Sequence, residues 1–170
     1  AMAFCWLGDV LLMFQSQEAL YFMAGLVSFL IGHVLYIITY RQMRYVKSTN
    51  ELLGTQKVRY SLPIVLAGTG LVVVLYPSLG ELTVPVMIYA FVLTIMVLQA
   101  LFRFGFTNKR SFILLFVGAL FFMASDSLLA INKFLEPLPL ASLSIMATYI
   151  AAQFLIVEGI IAHETNTQTK

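Results

Sequence analysis

Residues 111–131 read SFILLFVGALFFMASDSLLAI, and this stretch decides the fold. Over its 21 residues the one charged side chain is Asp126. A helix needs about 20 predominantly apolar residues to cross the hydrocarbon of a bilayer. Four further stretches of the same kind lie around it: Leu20–Tyr40, Val58–Tyr76, Val84–Phe102 and Leu140–Ala162. A shorter apolar stretch, Ala1–Phe14, opens the chain. Hydrophobic residues make up 61% of the 170 and charged residues only 11%, with mean hydropathy +0.93. A soluble domain carries roughly 25% charged residues, so this chain has too little polar surface to cover a water-facing globule. The alternating pattern of a membrane barrel is absent. In lipid the backbone groups must pair within each segment, which favours helices.

The expected fold is therefore all-α, a polytopic transmembrane helix bundle of about six helices with the first one partial. It forms one domain over 1–162, followed by a polar cytoplasmic tail at 163–170. The joints expected between spans are Gln15–Glu18, Pro77–Thr83 and Lys133–Pro139. Ala1–Phe14 has no charged n-region and no small-residue cleavage site, so it does not read as a signal peptide. It begins already apolar, which reads as a chain truncated inside a span. Cys5 stands alone, so no disulfide can form within the chain.

Orientation follows from the basic loops. The loop after Tyr40 holds Arg41, Arg44, Lys47, Lys57 and Arg59 against Glu51, and the loop after Phe102 holds Arg103, Lys109 and Arg110 with no acid. The opposite joints hold Glu18, Glu81, and Lys133 with Glu136. The bias alternates as it should in a six-span chain. It places loops 41–59 and 103–110 and the C-terminus on the cytoplasmic side of a plasma or inner membrane.

Three acids lie inside spans: Asp9, Asp126 and Glu158. A carboxylate there costs about 2.5–3.5 kcal/mol even on the lenient insertion scale. Asp9 and Asp126 each precede the expected end of their span by five residues, roughly 7 Å along a helix. Two carboxyl groups at one depth, both toward the non-cytoplasmic side, can share a polar cleft. In a poor dielectric the two cannot both ionise easily, which leaves an acid beside a carboxylate, the equipment of general acid/base catalysis. The bland alternative is that each Asp only ties neighbouring helices together, with Ser125 and Ser127 satisfying Asp126 locally.

Other polar groups are embedded too. His33 and Tyr36 share a face of one span, Tyr149 and Gln153 share a face of another, and Asn132 lies beyond Asp126. These are candidate lining residues of an inward cleft, or interhelical hydrogen-bond partners. Glu158 sits one turn from the end of its span, where it can snorkel. With two histidines in the chain, a three-histidine zinc site cannot be built, and no metal or other cofactor is expected. There is no phosphate-binding P-loop and no G-x-S-x-G elbow. The net charge of +2 is scattered, so nucleic acid is not an expected partner.

Four short motifs fall in order on four different spans: Leu7-Gly8-Asp9, Gly32-His33-Val34-Leu35-Tyr36, Ser125-Asp126-Ser127-Leu128-Leu129-Ala130-Ile131-Asn132 and Tyr149-Ile150-Ala151-Ala152-Gln153-Phe154-Leu155-Ile156. Together they resemble the YhhN-like lysoplasmalogenase family over essentially the whole chain. The usual member has about eight spans, against about six here by the length a bilayer requires, which fits a chain shortened at its N-terminal side. The resemblance implies a membrane-embedded hydrolase that cleaves the vinyl ether bond of a lysoplasmalogen to a fatty aldehyde and glycerophospho-ethanolamine or -choline. Its partners would be the lysophospholipid substrate and membrane lipid. It places catalysis on Asp9 and Asp126, with His33, Tyr36, Asn132, Tyr149 and Gln153 binding substrate. Protonation at the β-carbon of a vinyl ether gives an oxocarbenium ion that water captures, a logic close to glycoside hydrolysis. The alternative is a non-enzymatic membrane transporter subunit in which Asp9, His33 and Asp126 bind a small solute or a proton.

The segment Trp6-Leu7-Gly8-Asp9 also has the second half of the Gly-x-Gly-Asp motif of intramembrane aspartyl proteases. Trp6 occupies the first glycine position.

Overall fold

The apolar runs fold as helices, and what ends each one is local chemistry. A computed structural model describes residues 1–14, 19–44 and 52–168. Its helices are α1 (Met2–Met13), α2 (Ala19–Gln42), α3 (Gly54–Leu79), α4 (Thr83–Leu101), α5 (Lys109–Phe134) and α6 (Ala141–Gln168), with a short 3-10 turn at Gly80–Leu82. The joint Gln15–Glu18 and residues 45–51 of the first basic loop lie outside the described residues.

By length and composition α2, α5, α6 and the α3–α4 run can each cross a membrane. The run Gly54–Leu101 has 48 residues, roughly 72 Å of helix at ~1.5 Å per residue against ~30 Å of hydrocarbon. It folds back on itself at the turn, where Gly80 adopts φ +52°, open to glycine because it has no Cβ. With α1, which has 12 residues, this matches the expected five long stretches and one short one. The chain is an integral multi-pass membrane protein.

Three expected boundaries need correction. The third span was expected to end before Pro77, but α3 continues through both Pro63 and Pro77 to Leu79. Neighbouring helices in a bundle re-satisfy the backbone groups that a proline frees. The joint at Lys133–Pro139 starts later, because α5 runs on to Phe134. The stretch from His163 was expected as a polar tail, but α6 stays helical to Gln168. Two contacts hold the point where this extension begins: Thr107 Oγ1 lies 2.8 Å from His163 Nδ1, and Asn108 Nδ2 donates to the Ala162 carbonyl at 2.9 Å.

α1 packs on α2, α2 on α4, α4 on α3 and α5, and α5 most extensively on α6. Close approach depends on small residues, as usual between membrane helices. A Cβ on Gly8 would fall 2.6 Å from the Phe29 ring, and one on Gly118 would fall 2.9 Å from Ile156. The core between α2, α4, α5 and α6 holds Tyr36, Met96, Val97, Leu115, Phe122 and Ile156. Trp6, Leu66, Val73, Phe91 and Phe154 are exposed on the outside, the expected face toward acyl chains.

The contacts also sort the ends of the bundle. Arg44, after α2, reaches Gln99 on α4, and Thr107, after α4, reaches His163 on α6. Arg44, Arg103, Thr107 and His163, all expected toward the cytoplasm, thus gather at one end.

Candidate active site

Asp9 and Asp126 line the same cleft, of about 360 Å³, with Tyr149 and Asn132 as its other main polar residues. The cleft lies between α1, α5 and α6 at the end opposite the arginines. Met13 and Met146, which also line it, are 77% and 51% exposed.

Each carboxyl group is held by a tyrosine from another helix. Tyr149 donates to Asp9 Oδ2 at 2.9 Å. Tyr89, on α4, donates to Asp126 Oδ2 at 2.5 Å. Gly8 lets α1 lie against Phe29, which brings the next residue, Asp9, within reach of α6. The flanking serines do not serve Asp126: Ser125 donates to the Ile145 carbonyl at 3.0 Å and Ser127 to the Met123 carbonyl at 2.7 Å. Local satisfaction of Asp126 by its neighbours is therefore not what the structure has.

The remaining candidates separate into two groups. Asn132 lines the cleft, and its Oδ1 accepts from the Leu138 N–H at 2.9 Å, fixing the turn between α5 and α6. His33, Tyr36 and Gln153 sit behind the cleft rather than on its wall. Tyr36 donates to Gln153 Oε1 at 2.7 Å, and Gln153 Nε2 donates to the Tyr149 hydroxyl at 3.3 Å. A continuous chain thus runs Tyr36–Gln153–Tyr149–Asp9. His33 is fully buried, 3.8 Å from Asp126 Oδ2, and neither ring nitrogen has a hydrogen-bond partner. Its ring lies edge-on to Phe122 at 4.8 Å and to Tyr89 at 5.2 Å.

Tyr89 is the residue that sequence reasoning passed over. Its hydroxyl is the only hydrogen-bonding signal in mid-span on α4 besides Thr94, but a tyrosine in a span reads by default as packing. On its far side Asp126 also touches a small apolar chamber walled by Leu26, Leu71, Leu75 and Val86.

Residues 1–160 match the YhhN family. The chain belongs to that family. Among its relatives are the lysoplasmalogenase TMEM86A of Bos taurus, 30% identical over 91% of this chain and 61% of that protein, and the human TMEM86A lysoplasmalogenase, 32% identical over the same shares. The lysoplasmalogenase of Mycobacterium tuberculosis is 31% identical over 81% of this chain and 50% of its own length. The chain therefore spans between half and two thirds of the curated relatives it matches. No solved structure is a significant match. The resemblance drawn from the four motifs is thus confirmed at the level of the YhhN family.

Proposed function

We propose that this YhhN chain carries the hydrolytic site of a lysoplasmalogenase-like enzyme, cleaving the vinyl ether of a lysoplasmalogen with Asp9 and Asp126 as its working pair. The observation that carries the reading is their shared cleft, lined also by Tyr149, Asn132 and the exposed Met13 and Met146. The relatives named lysoplasmalogenase support the substrate class.

In this reading one carboxyl group protonates the β-carbon of the vinyl ether while the other faces the cationic carbon that results. Water adds to that carbon, its proton passing to a carboxylate, and the hemiacetal collapses to aldehyde and the glycerophospho-alcohol. The chemistry consumes one water and needs no oxidant. Tyr89 and Tyr149 hold the two carboxyl groups in place, since a site must be preorganised to act on a developing charge. Asn132 and the Tyr149 hydroxyl are the polar wall for the glycerol. The apolar chamber behind Asp126 receives the first carbons of the alkenyl chain.

The test is aldehyde release by the purified chain in detergent or vesicles. A 1-alkenyl lysophospholipid should yield aldehyde, and its saturated 1-alkyl counterpart none, because an alkyl ether has no carbon to protonate. Folded protein that releases no aldehyde but moves a solute across vesicle membranes would establish the transporter alternative instead.

The same reading puts the site near the non-cytoplasmic face. Cysteines introduced at Thr49 and Thr167 are expected to be protected together from an impermeant thiol reagent in intact cells. Labelling of either from outside reverses the orientation.

A further inference from the structure

At the end of the bundle away from the aspartates, four buried polar atoms have no hydrogen-bond partner: the Tyr40 hydroxyl, Arg44 Nε, and Nε and Nη1 of Arg103. We propose that Arg44 and Arg103 form a binding site for a phosphate-bearing anion between the ends of α2, α4 and α5.

Arg103 is fully buried, which is rare for an arginine without a carboxylate. Its Nη2 is occupied, donating to Ser111 Oγ at 3.0 Å and to Thr107 Oγ1 at 3.4 Å. These bonds aim the guanidinium and leave its other edge unused. Arg44 is fixed in the same way, through Nη2 to the side chain and the backbone carbonyl of Gln99, and its Nε is unused. The Tyr40 ring lies 6.0 Å from the Arg103 guanidinium carbon and forms the apolar floor. Among the described residues the ion pair found is His33–Asp126, so no described carboxylate answers either arginine.

The charges reinforce one another. Burial, and Arg44 nearby, push the Arg103 guanidinium down to about 10, against the opposing pull of Tyr40. At neutral pH it remains a cation. An uncompensated buried charge is expensive, and a bound anion removes that expense. A guanidinium edge fits the oxygens of a phosphate in two parallel hydrogen bonds. Basic pockets between membrane helices at the cytoplasmic side are suited to phosphorylated lipid headgroups. Arg44 is half-buried and Arg103 fully buried, so an anion would reach the pair past Arg44. A phospholipid headgroup and free phosphate present the same chemistry.

The experiment follows thermal unfolding of the purified chain in a neutral detergent. One arm titrates inorganic phosphate against chloride at equal ionic strength. The other titrates dihexanoyl phosphatidic acid against dihexanoyl phosphatidylcholine. The midpoint should rise with phosphatidic acid, with phosphate, or with both, and the arm that responds names the source. Arg103→Gln and, separately, Arg44→Gln should raise the half-saturating concentration at least about tenfold, since hydrogen bonds to charged groups contribute about 1.5–3 kcal/mol each. The exposed Arg41→Gln should leave it unchanged. No rise in either arm, a rise that survives both arginine variants, or an equal loss in Arg41→Gln overturns the site.

Discussion

Asp126→Asn and Asp9→Asn are each expected to lower aldehyde release by about 10²–10⁴, the usual contribution of a general acid or base, with thermal stability at or above the parent's. Asparagine keeps the volume of the side chain. Its carbonyl oxygen can still accept from Tyr89 at position 126 or from Tyr149 at position 9, so the interhelical bonds of 2.5 and 2.9 Å have a successor. What is removed is the exchangeable proton and the charge, and an ionisable group inside a membrane is itself costly. A purely structural Asp predicts the reverse pattern: activity kept, or lost together with folding. The two variants should be assayed side by side for aldehyde and for unfolding in detergent. A loss of only twofold or threefold in either one removes that residue from the mechanism, because it is too small for acid/base catalysis.

The aspartates were legible in the sequence because carboxylates inside apolar spans are conspicuous, and the depth argument correctly put them on one cleft. Their partners were not legible. Tyr89 is 37 residues from Asp126, and Tyr149 is 140 from Asp9. Both pairings depend on how α4 meets α5 and how α1 meets α6, which hydropathy does not encode. The same limit applies to His33 and Tyr36. Their spacing put them on one face of a span, but only the packing of Phe122 against them shows that this face is sealed behind the cleft.

Breakers misled for a different reason. Pro77 signals a helix end in a soluble protein, while in this bundle α3 passes through it and turns at Gly80 instead. Arg103 read as a solvated loop charge, useful for orientation alone. Its burial appears only once Tyr40, Thr107 and Ser111 are brought around it. The polar stretch after His163 read as a tail because nothing local shows that Thr107 and Asn108 hold its first turn against α5.

Phe122→Ala is expected to cost about 3–5 kcal/mol of stability, the range for truncating a fully buried aromatic, whereas Phe121→Ala should be nearly silent. The adjacent phenylalanines face opposite ways: Phe122 has no exposed surface and Phe121 is 39% exposed. Phe122 meets His33 at 4.8 Å, Tyr149 at 5.5 Å and Tyr36 at 6.5 Å, each edge to face. Removing that ring opens a void among the very groups that hold Asp9 and flank Asp126. Detergent or lipid does not reach position 122, whose ring has no exposed surface, while acyl chains readily replace the ring lost at position 121. Leucine at 122 should recover part of the stability by restoring volume, but not the edge-on contacts. If Tyr149 then drifts from Asp9, aldehyde release falls further than stability does. Thermal unfolding of the three variants in one detergent decides it: equal midpoints for Phe121→Ala and Phe122→Ala would mean that the ring between His33 and Tyr149 is not what holds this part of the bundle together.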